Sequence, residues 1–170
     1  MDKLIKDAKA GDPDAFTRLI QLQMQSMYKT ARAILQNDED VADAISETIS
    51  VCWEKIKYLK YDKYFRTWLT RILINKCNDI LRKKEHLSFT DEMPEVSSND
   101  TGFENVEWKE ALNSLDEKSR LVILLYYLEG FKTSEISILL EIPESTVRGR
   151  LAKGREQMAK EYDLDRRATT

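Results

Sequence analysis

Apolar residues recur three and four positions apart along most of this chain, the spacing of one face of an α-helix. A short opening helix is expected around Lys3 to Ala10, after which Gly11-Asp12-Pro13-Asp14 supplies a stop and a new N-cap. Phe16, Leu19, Ile20, Met24, Met27, Ala31, Ile34 and Leu35 then form a core stripe. Acids at Asp38 to Asp40 favour another helix N-terminus, with Val41, Ile45, Ile49, Trp53 and Ile56 as its apolar face. A third helix carries Phe65, Trp68, Leu69, Ile72, Leu73 and Ile80. Helical patterning breaks off and returns at Val106, Ala111, Leu112 and Leu115, and Asp116 caps a run through Val122, Leu125, Tyr126 and Leu128 that stops at Gly130. Two short helices follow, Thr133-Ser134-Glu135 opening the first and Glu144-Ser145-Thr146 the second, with Glu141-Ile142-Pro143 turning the chain between them. Small Ser137 and inward Val147 let these two cross closely, a helix-turn-helix pattern.

With only 5 Gly and 3 Pro in 170 residues, turn formers are too scarce for many short strands, so an all-α fold is expected. The formal charge of -3 argues at first against nucleic acid, whose phosphates attract Lys and Arg. The distribution reverses that reading. Residues 88–118 hold nine acids and two bases, while residues 55–84 hold ten bases against Asp62 and Asp79. The Ser-, Asp- and Glu-rich stretch SFTDEMPEVSSNDTGFEN reads as a flexible acidic linker between two small helical domains. The expected organisation is 1–87 for the first domain, 88–105 for the linker, 106–165 for the helix-turn-helix domain and 166–170 for a tail. No apolar run approaches a membrane span and the start lacks the apolar stretch of a signal peptide, so no membrane insertion and a cytoplasmic location are expected. Cys52 and Cys77 form no CxxC and His86 is the one histidine, so neither a metal site nor a disulfide is expected, and no cofactor motif such as GxxxxGK[ST] occurs. The thiols read as buried or half-buried and His86 as exposed at a helix end.

Three surfaces carry candidate chemistry. In Lys57 to Trp68, basic and aromatic residues alternate: cations track a phosphate backbone, and rings such as Tyr58, Tyr61 and Tyr64 stack unpaired bases at about 1–3 kcal/mol each. On the third helix Arg71, Asn75, Asn78 and Arg82 share one face, two amides able to meet base edges between two guanidiniums. In the helix-turn-helix, Arg148, Gly149, Ala152, Lys153 and Arg155 point away from Val147 and Leu151, toward where a major groove would lie. A fourth face, Asp40, Asp43, Glu47 and Glu54, is either a solvated acidic surface or a dock for a basic partner. Ordinary helix packing and a helical hairpin with a basic side remain the plainer readings of the others.

The order of these segments, with FxxWLxRIxxN (Phe65, Trp68, Leu69, Arg71, Ile72, Asn75) followed by LNSLDEKSR and STVRGRLAKGR, resembles the bacterial extracytoplasmic-function, or group IV, sigma factors. The resemblance implies a promoter-specificity subunit of RNA polymerase and no catalysis. By it, Asp40, Asp43, Glu47 and Trp53 would meet the clamp of the largest polymerase subunit, and the second domain the flap of the second largest. Tyr58, Tyr61, Tyr64, Arg71, Asn75 and Asn78 would melt and hold the −10 strand; Thr146, Arg148, Gly149, Ala152, Lys153 and Arg155 would enter the −35 major groove. It also implies an anti-sigma factor, often membrane-bound, and a stress or envelope-response regulon. The chain departs from the family at Ser46, where a Gln usually precedes Glu47. With almost no side chain at Gly149 and Ala152, direct −35 readout would fall to Arg148 and Lys153. The competing reading is an autonomous helix-turn-helix regulator whose first domain serves dimerisation or ligand sensing; an enzyme acting on nucleic acid or phosphate is a third.

Overall fold

The chain reverses at Gly11, whose φ of 95° is left-handed, and the next residue, Asp12, caps the following helix by accepting from the N–H groups of Asp14 and Ala15. This computed structural model describes residues 1–88 and 112–168, with side chains described through 86 and from 112 to 160. All regular structure among the described residues is helical. The chain divides into two compact units, Met1–Ser97 and Ser98–Thr170. Of the expected linker, Ser88 is helical and residues 89–105 lie outside the described residues, as do Val106 and Ala111.

The first unit contains α1 (Asp2–Lys9), α2 (Pro13–Ile34), α3 (Asp38–Lys55) and α4 (Phe65–Ser88), with short 3₁₀ turns at Ile56–Tyr58 and Asp62–Tyr64 between the last two. Asn37 caps α3 by accepting from the Asp40 N–H at 2.8 Å. The core gathers Ile5, Phe16, Leu19, Ile20, Met27, Ala31, Leu35, Val41, Ile56, Phe65, Leu69 and Leu73. Two expected core positions lie at its edge instead. Met24 is exposed, and Trp53 is 42% exposed, touching Phe16 edge-on at 4.9 Å between ring centroids. The truly buried face of α3 is Val41, Ala44, Thr48 and Cys52, with Ile45 and Ile49 only half-buried. Small residues win that face because they let α3 approach its neighbours closely, and Thr48 satisfies its hydroxyl on the Ala44 carbonyl at 2.6 Å. On α4, likewise, Ile74 and Cys77 are buried, whereas Trp68, Ile72 and Ile80 are half-buried.

In the second unit, Asp116 caps α5 (Glu117–Ile123) through the Ser119 N–H at 2.9 Å. The helix then widens over Leu124–Leu128, where Glu129 N–H reaches back five residues to the Leu124 carbonyl at 3.0 Å. This widening shifts the phase of the apolar face. Val122, Ile123, Leu124 and Leu125 are buried, while Tyr126 and Leu128, expected inward, are exposed beside Tyr127. Gly130, with φ 68°, ends the segment as expected. Next come α6 (Thr133–Leu140) and α7 (Glu144–Ala168). The second helix of the pair is therefore 25 residues rather than short, and it runs through the expected tail to Ala168. Gly154 lies in the tight approach of α7 to α5: a Cβ there would stand 2.8 Å from Ile123 Cγ1.

Candidate nucleic-acid interface

The two turns between α3 and α4 project their rings into solvent, with Tyr58, Tyr61 and Tyr64 at 72%, 62% and 48% exposure. Tyr61 and Tyr64 meet edge to face with centroids 6.1 Å apart. Lys57 lies 5.0 Å from the Tyr58 ring centre and Lys63 4.8 Å from that of Tyr64, so each outer ring carries its own cation. This is a surface of flat faces edged by positive charge. Its one carboxylate, Asp62, is held by Lys9 at 2.8 Å.

Asn75 and Asn78 are exposed on the next helix, with Arg71 half-buried on the same face and Arg82 exposed at its far end, paired with Asp79 at 2.7 Å. The side-chain amides of Asn75 and Asn78 have no hydrogen-bond partner among the described residues, so both keep a donor and an acceptor for a ligand. The acidic face of α3 divides in two. Glu47 pairs with Lys76 at 2.9 Å, and the Lys76 hydrogen bond holds its carboxyl below the usual carboxylate range. Asp40 is bound by Lys84 and Asn37. Asp43 and Glu54 are exposed without a partner among the described residues.

Within the helix-turn-helix, Glu141 takes the left-handed conformation, φ 54°, and the Ser137 hydroxyl donates to the Ile142 carbonyl at 2.6 Å, fixing the turn. Val147 and Leu151 are buried, leaving Arg148, Gly149, Ala152, Lys153 and Arg155 exposed and Thr146 half-exposed along one side of α7. Glu144 accepts from the Thr133 hydroxyl at 2.6 Å and from Arg148 at 2.8 Å. These bonds, Thr133 first, lower its pKa. Lys153 donates to Asp116 at 2.9 Å. Both long cationic side chains at the centre of the face are thus held by acids of their own unit.

Residues 19–86 match the family model described as Sigma-70 region 2, and residues 106–158 match the one described as Sigma-70, region 4. The chain belongs to the sigma-70 family. Over 94% of its length and 95% of the relative's, this sigma factor is 28% identical to the ECF RNA polymerase sigma factor SigW of Bacillus subtilis (strain 168). It is 29% identical to the RNA polymerase sigma factor NccH of Alcaligenes xylosoxydans xylosoxydans, over 92% and 91% of the two chains. A solved structure of CnrH in complex with the cytosolic domain of CnrY matches with TM-score 0.68 at 25% identity, covering 96% of this chain and 97% of that one. The sigma factor RpoE, solved with the anti-sigma factor NepR from Bartonella quintana, shares the fold: TM-score 0.71, 19% identity, 88% and 98% coverage. This sigma factor is accordingly one of the extracytoplasmic-function group, and its function is to direct transcription to promoters. An autonomous regulator using the helix-turn-helix alone is not favoured, because region 2 is matched as well as region 4.

The matched regions contain every candidate site residue. Region 2 holds the acidic face, the aromatic loop and the amide face; region 4 holds the exposed side of α7. Sequence reasoning missed the acids that hold the basic face, Asp116 and Glu144. Glu144 and Arg148 at i, i+4 were detectable as a helical pair. Asp116 was recognisable as a cap, but its distance of 37 positions from Lys153 leaves no local trace.

Proposed function

We propose that the two units divide the work of initiation, with α7 of the second unit reading a −35 duplex and the loop and α4 of the first capturing the −10 strand. The single observation that carries this is the exposed row Tyr58, Tyr61 and Tyr64, edged by Lys57 and Lys63, next to the unpartnered amides of Asn75 and Asn78. Unstacking a base costs a few kcal/mol, and stacking on a ring returns about 1–3 kcal/mol, so three rings and two amides suffice to hold extruded bases. The work is strand exchange, with no bond made or broken. Thr146, Arg148, Gly149, Ala152, Lys153 and Arg155 form the duplex-facing side, and readout rests on Arg148 and Lys153.

Asp40, Asp43, Glu47 and Trp53 serve as the dock for the clamp of the polymerase core, and the second unit as the contact for its flap. Asp43 and Trp53 are open to a partner at once, whereas Asp40 and Glu47 exchange Lys84 and Lys76 for it. An anti-sigma factor covers these surfaces in the resting cell, a reading supported by CnrH, 25% identical and solved in complex with the cytosolic domain of CnrY. The setting is cytoplasmic. Among the described residues no helix is long and apolar enough to cross a membrane.

In vitro transcription with core polymerase over a randomised promoter library tests this reading and reads both elements at once. Transcripts should map to promoters with two fixed elements, and Tyr61→Ala should lower permanganate reactivity at the −10 element while sparing −35 duplex binding. Equal loss at both steps, or no promoter-dependent transcript, would overturn it.

A further inference from the structure

The region 2 match begins at residue 19, so α1 lies outside it. This helix is seated by the burial of Ile5 and Ala8, and the residue after Ala8 reaches across to the aromatic loop. Lys9 Nζ donates to the Leu59 carbonyl at 2.7 Å and to Asp62 Oδ1 at 2.8 Å. The loop's own backbone closes only within each turn, Leu59 N–H to the Ile56 carbonyl and Tyr64 N–H to the Tyr61 carbonyl, both at 3.1 Å. Neither bond spans the gap between the turns. Lys9 spans it, fixing Leu59 relative to Asp62 and hence the direction in which Tyr61 leaves the backbone.

Charge gives the same contact a second effect. Asp62 is the sole carboxylate between Glu54 and Asp79, in a stretch that otherwise presents Lys57, Lys60, Lys63, Arg66, Arg71 and Lys76. A bare carboxylate beside a phosphate strand would oppose the attraction of those cations. Lys9 and Asp62 are both mostly buried in their pair, at 24% and 23% side-chain exposure, so the ammonium stays close to the charge it offsets.

We infer that Lys9 is a positioning residue for strand capture, locking the two tyrosine-bearing turns together and screening Asp62 from the incoming strand. The inference rests on reading this loop as the strand-capturing element. A partly exposed pair of this kind contributes only about 1 kcal/mol to stability, so its loss leaves the fold standing.

The test uses full-length protein with core polymerase on the promoter returned by the library, intact and with a mismatched, pre-melted −10 segment. Lys9→Met is expected to lower open-complex yield about ten-fold on the intact promoter and to weaken retention of the pre-melted one, as ordering the loop then falls to the binding step. Affinity for core polymerase should stay within about two-fold. Lys9→Arg, which keeps the charge and the N–H donors, should recover at least half of the wild-type yield. A Lys9→Met yield within two-fold of wild type, an Arg variant as defective as the Met variant, or a parallel loss of core affinity would each overturn the inference. Tyr61→Ala separates the two readings. If it lowers the yield while Lys9→Met does not, only the role of Lys9 fails; if it does not, the reading of the loop fails and the role of Lys9 with it.

Discussion

Lys153 donates a 2.9 Å hydrogen bond to Asp116, so an outward-facing residue of α7 is tied to the cap of α5 in its own unit. That bond, followed by the Ser119 N–H, lowers the Asp116 carboxyl from its ordinary 3.8 to about 2. A carboxyl whose pKa is depressed on folding adds stability that is complete above its unfolded value and lost as pH falls through the folded one. The Asp116 contribution should therefore be complete above about pH 4 and be lost between there and about pH 2. Asp116→Asn should flatten this dependence, and Asp116→Ala should cost about 1 kcal/mol at neutral pH through the lost cap. Thermal unfolding of the full chain, followed by NMR at α5 and α7 amides, checks both.

Arg148 and Lys153 are the exposed long side chains that flank the bare Gly149 and Ala152. Replacing either with Ala should remove about 1–3 kcal/mol of discrimination at one −35 base pair, not merely weaken binding everywhere. Holoenzyme binding across a set of mutated −35 elements distinguishes these outcomes. A uniform loss with an unchanged order of preference would assign both to phosphate contact.

Two glycines of α7 should answer the same substitution in opposite ways. Around Gly149 nothing lies within 4 Å of an added Cβ, so Gly149→Ala should stabilise the helix by about 1 kcal/mol. At Gly154 that gain meets Ile123 at 2.8 Å and is outweighed by overpacking of about 1–3 kcal/mol. Melting midpoints of the two variants, and partial recovery of Gly154→Ala by Ile123→Val, measure the contrast.

Gln23 is buried on the inward face of α2, and its amide has no hydrogen-bond partner among the described residues. An unsatisfied buried amide costs about 1–3 kcal/mol, so Gln23→Met, close in shape and apolar, should raise stability by about 1 kcal/mol. Urea denaturation of the first unit, read through Trp53 and Trp68 fluorescence, would show a higher midpoint. A lower one means that ordered water already satisfies the amide.

Much of the helical order was legible because it is written in local chemistry. Asp12 and Asp116 announce caps by residue type, and Phe65, Leu69 and Leu73 announce a buried stripe by spacing. The errors arose where packing overrode hydrophobicity. On α3, Ala44, Thr48 and Cys52 take the innermost positions, while the expected Ile45 and Ile49 pack half-buried against the core and Trp53 lies at its edge. In the second unit the widened turn at Leu124–Leu128 changes the helical period itself, so no fixed spacing could place Tyr126 and Leu128. The surface chemistry was readable as clusters of type, tyrosines with lysines and amides with arginines. Its pairings were not, because Lys9 with Asp62 and Lys76 with Glu47 are joined only by the fold.

The burial of Cys52 and Cys77 has a consequence for how this molecule can be handled and signalled to. Both are fully enclosed, and desolvation pushes each thiol up to about 12, so almost none exists as the reactive thiolate at neutral pH. Peroxide and maleimide should leave both native thiols untouched. A fluorophore can then be attached at a single engineered surface cysteine without removing either native thiol, and neither cysteine should answer an oxidative signal while the fold stands.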